Sequence, residues 1–346
     1  MNPSKIINIP SYIDFNTIEI LTGLLLITKG LEKSEIFSKF VVFFLPKIKN
    51  EKKLAFFITF TSIMLSMFLT NDVALFIVIP LILNFQDRIK NDTYKLIIYA
   101  AISVNVGSLL IPIGNPQNIL LWTKWNISFF TFILNTLPLE LIMISILVIF
   151  ILIIFRKKPL EIDELNEKVK LNKNLAINSL ILFPCFIFLM ELRLEIYLIP
   201  IILISYFILD RNLMKDVNWL FLLTFILFFA DVNLLIRLKP IYYFISGLNF
   251  EENIFTFFTF TIILSQIISN VPATILLLNF SSNYQAITWA VNIAGNGTLV
   301  SSFANIIALK IGKTRGLVMK FHEHSLLYLL ISTSITLFII FIFLIF

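Results

Sequence analysis

Charged residues and cysteine are scarce in this chain of 346 residues. Only 14% of the residues are charged, whereas 58% are hydrophobic, and there is a single cysteine, Cys185. One cysteine excludes an internal disulfide and a thiolate metal cluster. The sequence also lacks a Walker motif, a zinc signature and a nucleophile elbow. It therefore indicates neither an enzyme nor an ATP-driven pump, and we expect no cofactor other than a coupling ion.

The apolar residues gather in about ten hydrophobic segments, and phenylalanine alone accounts for 37 residues. This composition predicts an all-α integral membrane protein, because a helix of roughly 20 apolar residues crosses a bilayer. Lysine and arginine, which give the net charge of +6, lie mainly in short loops and mark cytoplasmic loops rather than a nucleic-acid site. The Lys-, Asn- and Ile-rich usage suggests an AT-rich prokaryotic genome. We expect a multi-pass protein of a prokaryotic plasma membrane, surrounded by lipid.

Two short polar sequences interrupt otherwise apolar runs, one in each half of the chain. They are Thr70-Asn71-Asp72, within SIMLSMFLTNDVALFIVIPLIL, and Ser269-Asn270-Val271-Pro272, within TFTIILSQIISNVPATILLL. A hydrocarbon interior offers no water to exposed backbone groups, so a helix breaks there only where the freed backbone lines an enclosed cavity. The apolar pieces on either side are too short to cross a bilayer, which predicts two re-entrant helical hairpins, at 54–85 and 254–280.

The charges that flank the two hairpins indicate opposite orientations in the membrane. Lysines precede the first hairpin and basic residues follow it, as in cytoplasmic loops, whereas Glu251 and Glu252 precede the second. The order helix, connector, hairpin, broken helix and spanning helix occurs twice, which predicts an inverted repeat. The predicted parts are a first repeat at 1–155, a cytoplasmic linker at 156–174, extra scaffold helices at 175–216 and a second repeat at 217–346.

Each half also contains a long apolar segment that glycine, proline and amide residues interrupt, at 96–122 and 286–309. The candidate ligand residues are Gly114, Asn115 and Asn118 in the first segment, and Gly295, Asn296, Gly297, Thr298 and Asn305 in the second. A broken helix leaves N–H groups, which suit an anion, and carbonyls, which with amide oxygens suit Na⁺. We expect the substrate and ion to bind between these segments and the hairpin tips, with Na⁺ at Asn71, Asp72 and Asn270.

These motifs carry a family resemblance. The sequences TNDVALFIVIP, IPIGNPQNILLW and SNVPATILL, with ITKGLEKSEIF upstream, resemble the ion transporter superfamily of citrate transporters, arsenite permeases, type D sodium/proton antiporters and divalent-anion/sodium symporters. The resemblance implies a scaffold domain, a mobile transport domain that binds substrate and cation at the hairpin tips, and often a homodimer. The symporters carry Ser-Asn-Thr at both tips, whereas this chain has Thr-Asn-Asp and Ser-Asn-Val, so dicarboxylate specificity does not follow.

Several polar residues have two interpretations. Asp72 either binds Na⁺ or carries the coupling proton, because an intramembrane carboxylate is costly, or it caps the second hairpin helix. Asn115 and Asn118 either bind substrate or join helices. The sequence places Glu140 near the outer end of its helix, with its carboxylate reaching the headgroups, and it favours surface positions for His322 and His324.

The sequence thus predicts a secondary active transporter of a small inorganic or organic anion, coupled to Na⁺ or H⁺, and the resemblance implies an elevator mechanism. No Arg or Lys lies near either tip in the sequence, so Na⁺/H⁺ antiport and efflux of neutral arsenous acid are the alternatives. A channel is a third class, although two opposed hairpins favour alternating access over a continuous pore.

Overall fold

The structure, a computed structural model, describes residues 9–84, 86–89, 93–160, 170–248, 250, 253–313 and 316–345. Within these residues the only β feature is an isolated bridge between Asn50 and Pro159, and all other regular structure is helical. Four of the described helices are long and apolar enough to cross a membrane. The prediction of an all-α membrane protein is confirmed.

The helices follow one another through short loops. The helices up to the predicted linker are α1 (Phe15–Lys33), α2 (Ile36–Phe44), α3 (Glu51–Phe68), α4 (Asn71–Leu83), α5 (Gln86–Ile89), α6 (Thr93–Gly107), α7 (Pro116–Trp125) and α8 (Phe129–Ile154). The next five are α9 (Lys173–Glu191), α10 (Ile199–Leu209), α11 (Leu213–Asp216), α12 (Trp219–Ile236) and α13 (Lys239–Ser246). The last five are α14 (Ile254–Ile268), α15 (Asn270–Leu277), α16 (Tyr284–Ala294), α17 (Phe303–Gly312) and α18 (Leu317–Ile345).

Some bounds differ from the predicted segments. Helix α18 begins at Leu317 and not at the predicted residue 324. The prediction followed apolar runs, and the first two turns of α18 contain polar residues. Residues 161–169 of the predicted linker, and the predicted flanking acids Glu251 and Glu252, lie outside the described residues.

Asparagine starts many of these helices. Its side-chain oxygen accepts a hydrogen bond from a backbone N–H in the first turn of α3, α7, α9, α12, α14 and α16; the capping residues are Asn50, Asn115, Asn172, Asn218, Asn253 and Asn283. Such a cap satisfies one of the four N–H groups that a helix start leaves unpaired. The Asn-rich composition therefore serves the many helix starts of this fold.

The helices form two groups, which we call central and peripheral. The central group comprises α3, α4, α6–α8 and α14–α18, which pack on one another; the peripheral group comprises α1, α2 and α9–α13, in which α1 packs on α9, α10, α11 and α12. Lys33 at the end of α1 pairs with Asp210 at 3.0 Å and with Asp216 at 2.6 Å. The groups meet where α1 contacts α4 and α7 and where α12 contacts α15.

The tightest helix packing in the central group is that of α3 on α6. Gly107 lies at the end of α6, and a Cβ atom added there would meet the backbone oxygen of Ile63 and lie 2.6 Å from its Cα. Backbone atoms cannot move aside as a flexible side chain can. Only glycine allows this close approach.

We predict that Gly107→Ala lowers the melting temperature of the purified protein, with a loss of about 1–3 kcal/mol from overpacking. Alanine is otherwise the better helix residue by about 1 kcal/mol. Gly247→Ala, at the end of α13, is the control, because the nearest atom to its added Cβ is 3.2 Å away. An unchanged or raised melting temperature for Gly107→Ala would contradict the close approach.

Candidate functional site

The two hairpin tips meet at one small cavity between the central and peripheral groups. The volume inside is about 30 Å³, which is room for about one or two water molecules. The lining residues are Thr70, Asn71, Asp72, Pro116, Gln117, Phe221, Phe225, Asn270, Val271, Ser302, Phe303, Ala304 and Ile307. In this conformation the cavity is the size of an ion and too small for a tricarboxylate.

Four helices begin at this cavity. Asn71, Pro116, Asn270 and Phe303 are the first residues of α4, α7, α15 and α17, and all four line it. The N-terminal end of a helix carries a partial positive charge and unpaired N–H groups. Their convergence makes the cavity attractive to an anion without a lysine or arginine, and neither residue type is among the lining residues.

The first hairpin tip supplies oxygen atoms to the same cavity. The Thr70 Oγ1 and Asn71 Oδ1 atoms are buried and have no hydrogen-bond partner, and Asp72 is 6% exposed. Hydroxyl, amide and carboxylate oxygens on three consecutive residues are the ligand types that a hard cation prefers. The cavity therefore combines a cation-binding tip with helix ends that favour an anion.

The second hairpin tip differs in chemistry and in backbone conformation. Ser269 has a φ of 77°, a region that is strained for residues other than glycine, and its hydroxyl lies 3.4 Å from the Ser301 carbonyl oxygen. Asn270 lines the cavity and its Nδ2 atom lies close to Gly295, where an added Cβ would be 3.0 Å from it. The second tip is thus fixed against the loop between α16 and α17.

The loop between α6 and α7 is held by two asparagines. The Asn118 side-chain amide donates to the carbonyl oxygens of Ser108, Leu109 and Ile111 at 3.2, 3.1 and 3.3 Å. Asn115 caps α7 by accepting from the Asn118 N–H at 2.9 Å. These amides pair backbone groups that an unwound segment would otherwise leave unsatisfied.

The loop between α16 and α17 is held in the same way. Asn305 donates to the Gly295 and Thr298 carbonyls at 3.1 and 3.0 Å. Gln266 of the second hairpin accepts from the Thr298 N–H at 2.7 Å and donates to the Ala294 carbonyl at 2.9 Å.

Two other residues of this second loop, Asn296 and Gly297, are not held by Asn305 or Gln266. The Gly297 N–H donates to the Ser325 hydroxyl at 2.8 Å. Asn296 is fully buried, and neither polar atom of its side chain has a hydrogen-bond partner.

Two further asparagines, Asn105 and Asn292, join the halves of the chain to each other. We call these two residues and their partners in the opposite half the asparagine clasp. Asn105 of α6 donates to Asn305 Oδ1 at 2.9 Å and accepts from the Ser302 hydroxyl at 2.9 Å. Asn292 of α16 donates to Asn118 Oδ1 at 2.7 Å and accepts from Asn115 at 3.0 Å. Asn105 therefore bonds the N-cap and the third residue of α17, and Asn292 bonds the N-cap and the third residue of α7. The two halves thus bond each other through equivalent positions.

The predicted site residues divide into two sets. Thr70, Asn71, Asp72 and Asn270 line the cavity. The remaining candidates lie outside the lining, in or next to the two unwound loops and the second tip; they are Gly114, Asn115, Asn118, Ser269, Gly295, Asn296, Gly297, Thr298 and Asn305. Asn115 and Asn118 make helix-joining hydrogen bonds, which the sequence left as an alternative, and Asn305 makes an equivalent bond with Asn105.

Sequence reasoning missed Asn105, Asn292, Gln266 and the aromatic residues of α12. The sequences VNVGS and VNIAG place an asparagine at equivalent points before both loops, and this repeated pair was the signal available. The ring centroids of Phe221 and Phe225 of α12 are 4.7 Å apart, with the rings tilted, and the Phe221 ring centroid is 6.4 Å from that of Phe303 at the start of α17. These rings give the cavity an apolar wall on the peripheral side.

We predict that Asn292→Ala destabilises the protein by about 1–3 kcal/mol, because the buried Asn118 oxygen loses its side-chain donor. Asn105→Ala should destabilise the protein by a similar amount, because the Asn305 side-chain oxygen loses its donor. Asn178→Ala is the matched control, since Asn178 makes a single side-chain hydrogen bond to Ser205, at 3.2 Å, in a part-buried position. Melting temperatures in detergent provide the measurement, and equal values for Asn292→Ala and Asn178→Ala would show that the clasp is not important for stability.

Comparison with known proteins supports the resemblance that the motifs carry. The sequence model of the citrate transporter family matches residues 1–288. The chain is 37% identical over 321 residues to the inner membrane protein YbiR of Escherichia coli, covering 93% of this chain and 86% of the relative. It is also 37% identical over 315 residues to an uncharacterized transporter of Methanocaldococcus jannaschii, covering 90% of this chain and 84% of the relative. This chain is a membrane transporter that belongs to the citrate transporter family.

Proposed function

We propose that this protein is a secondary active transporter of a small anion, coupled to Na⁺ or H⁺ and located in a prokaryotic plasma membrane. The observation that carries the proposal is the cavity at the hairpin tips, where four helix N-termini and the oxygens of Thr70, Asn71 and Asp72 meet. An anion and a cation bound there would each offset the charge of the other. This explains how an anion approaches Asp72 without a basic side chain.

The proposed mechanism is of the elevator type. The central group, with both tips and both unwound loops, is the transport domain, and the peripheral group is the scaffold. The reciprocal asparagine clasp supports the proposed inverted repeat, because it relates equivalent positions of the two halves. The small cavity corresponds to a closed state, so loading requires the tips or the α12 wall to move. A homodimer through the peripheral group is part of the same proposal.

Sodium/proton antiport and efflux of neutral arsenous acid are the second candidate function. The observation that favours them is the ion-sized volume of the cavity, about 30 Å³, together with the single carboxylate in its lining. A proton and a sodium ion that compete for Asp72 need no second solute and no larger cavity. In the antiport alternative Asp72 is essential for all transport.

The test is ion and solute flux in proteoliposomes that contain the purified protein, with and without citrate, sulfate, phosphate or arsenite. We expect uptake of one anion, driven by a sodium or proton gradient. In Asp72→Asn, uptake should depend less on the cation gradient than in the wild type, whereas anion exchange should be affected less or not at all. Asp231→Asn is the matched control, because Asp231 is an exposed carboxylate of α12, outside the cavity, and it should transport as the wild type does.

Other outcomes would favour a different function. Sodium-driven proton movement without any added solute, lost in Asp72→Asn, would establish antiport and overturn the anion proposal. Arsenite-dependent flux without a coupled cation would establish the efflux alternative. A current that rises with the gradient and does not saturate would indicate a channel.

A further inference from the structure

A second buried carboxylate lies outside the candidate site. Glu140 is on α8, eleven residues after its first residue, and only 1% of the side chain is exposed. Neither carboxylate oxygen has a hydrogen-bond partner. The expectation that Glu140 reaches the headgroups is wrong, because the side chain points into the central group and not along the lipid face.

Glu140 lies in the seam between α8 and α18. Tyr328 of α18 is fully buried and donates to the Met143 carbonyl of α8 at 2.7 Å. The two helices are antiparallel, since Tyr328 contacts Phe150, whereas His324, one turn earlier, contacts Tyr99, which packs on Phe155.

This register also defines the neighbours of Glu140 on α18. In this register Ser332, one turn beyond Tyr328, falls near the level of Met143, and Thr336, two turns beyond, falls near the level of Glu140. Both are fully buried, and the Thr336 hydroxyl also has no hydrogen-bond partner.

An ionised carboxylate in this seam would be uncompensated. Isolated charges inside a membrane protein are costly and normally face a partner or a water-filled cavity. Around Glu140 the described titratable neighbours are the phenols of Tyr328 and, further along, Tyr99, and neither supplies positive charge. A proton needs neither a cavity nor further ligands.

Titratable side chains lie between this seam and the cytoplasmic end of α18. They are Tyr328, whose hydroxyl donates to the Met143 carbonyl, Tyr99, and the half-buried His324, whose Nδ1 atom lies 3.2 Å from the Tyr99 hydroxyl. The rings of Tyr99 and Tyr328 both contact Phe150, at 6.3 and 5.7 Å. The charged groups that face His324 are Glu323 and Lys320 of α18 and Lys95 of α6. His324 is therefore not the isolated surface histidine that the sequence favoured.

We propose that Glu140 is a proton-binding site, separate from the hairpin-tip cavity, and that its proton exchanges with the cytoplasm past Tyr328, Tyr99 and His324. In the conformation described here the site holds the neutral carboxylic acid. Uptake adds one proton from cytoplasmic water to the carboxylate, and release returns it, with no other bond formed or broken.

The position of Glu140 also connects it to the candidate site. One turn earlier on α8, Thr136 donates to the Leu110 carbonyl at 2.8 Å, in the loop between α6 and α7 that Asn115 and Asn118 hold. A change of charge at Glu140 would change the packing of α8 on that loop. This connection makes Glu140 a candidate for the group that carries a coupling proton, a step that rests on the proposed function.

The first experiment is infrared spectroscopy of the purified protein, which detects the carbonyl stretch of a protonated carboxylic acid and its shift in deuterium oxide. The Asp72→Asn variant is the reference, because it removes the other buried carboxyl of the candidate site. We expect such a band at neutral pH in Asp72→Asn, and its loss when Glu140→Gln is added. Glu323→Gln, which removes an exposed carboxylate paired with Lys320, is the control and should leave the band unchanged in the same background. An Asp72→Asn spectrum without this band, or a band that survives when Glu140→Gln is added, would overturn the proposal.

The route of the proton has its own test, which also holds if Glu140→Gln does not fold. In His324→Phe the acid band should persist while exchange of its proton for deuterium becomes slower than in the wild type. An unchanged exchange rate would contradict the cytoplasmic route. Because these spectra need no substrate, a failure to observe anion uptake leaves them interpretable, and the two proposals can fail separately.

Discussion

The whole arrangement depends on pairing the backbone groups of two unwound loops inside an apolar helical body. Neither loop can rely on water as a loop at a protein surface does, so each buried N–H and carbonyl needs a partner from the protein. Amide side chains provide these partners, since one amide both donates and accepts. Asn118 serves three carbonyls of the first loop, and Asn305 with Gln266 serves the second. Two of the four helix starts at the cavity, those of α7 and α17, directly follow these loops and are positioned by them.

Much of this could be predicted from the sequence, because a polar residue within an apolar run is conspicuous. Asp72 and Asn270 stood out for that reason, and both line the cavity. The repeated asparagine of VNVGS and VNIAG was a signal for the clasp. Its pairing could not be predicted, because Asn105 and Asn305 are 200 residues apart and no local feature distinguishes a joining asparagine from a binding one. Glu140 was misplaced for a related reason. Sequence gives its distance from the helix start, whereas burial depends on the angle at which α18 packs against α8.

The cavity resolves an apparent conflict between the proposed anion transport and the residues at the site. Binding of an anion requires positive potential, yet the lining of this cavity offers Asp72 and no basic side chain. Four helix ends supply the missing positive potential, each equivalent to about half an elementary charge before solvent screening. Together they amount to about two elementary charges, so the positive potential exceeds the charge of one carboxylate while at least three of the ends stay close together. Binding selectivity would then depend on the geometry of the tips more than on any single residue.

The clasp has a consequence for how such a site can move. Asn105 and Asn292 each bond the opposite half, so a displacement of one loop without the other would break buried hydrogen bonds on both sides. Separate motion of the halves is therefore costly, by about 1–3 kcal/mol for each unpaired group, whereas motion of the central group as one body breaks none of these hydrogen bonds.

The boundary between the central and peripheral groups has different contacts. Its contacts near the cavity are phenylalanine rings, Phe228 and Phe221 against Phe303, and apolar contacts can be exchanged for similar ones without unpairing a polar atom. The boundary also has polar contacts at helix ends, where Lys124 pairs with Asp14 at 2.7 Å and the Phe129 N–H donates to Glu191 at 2.9 Å. Lys124 and the Glu191 contact are exposed, so water can replace these partners, whereas it cannot reach the buried clasp. This difference favours sliding between the groups over opening within the central one.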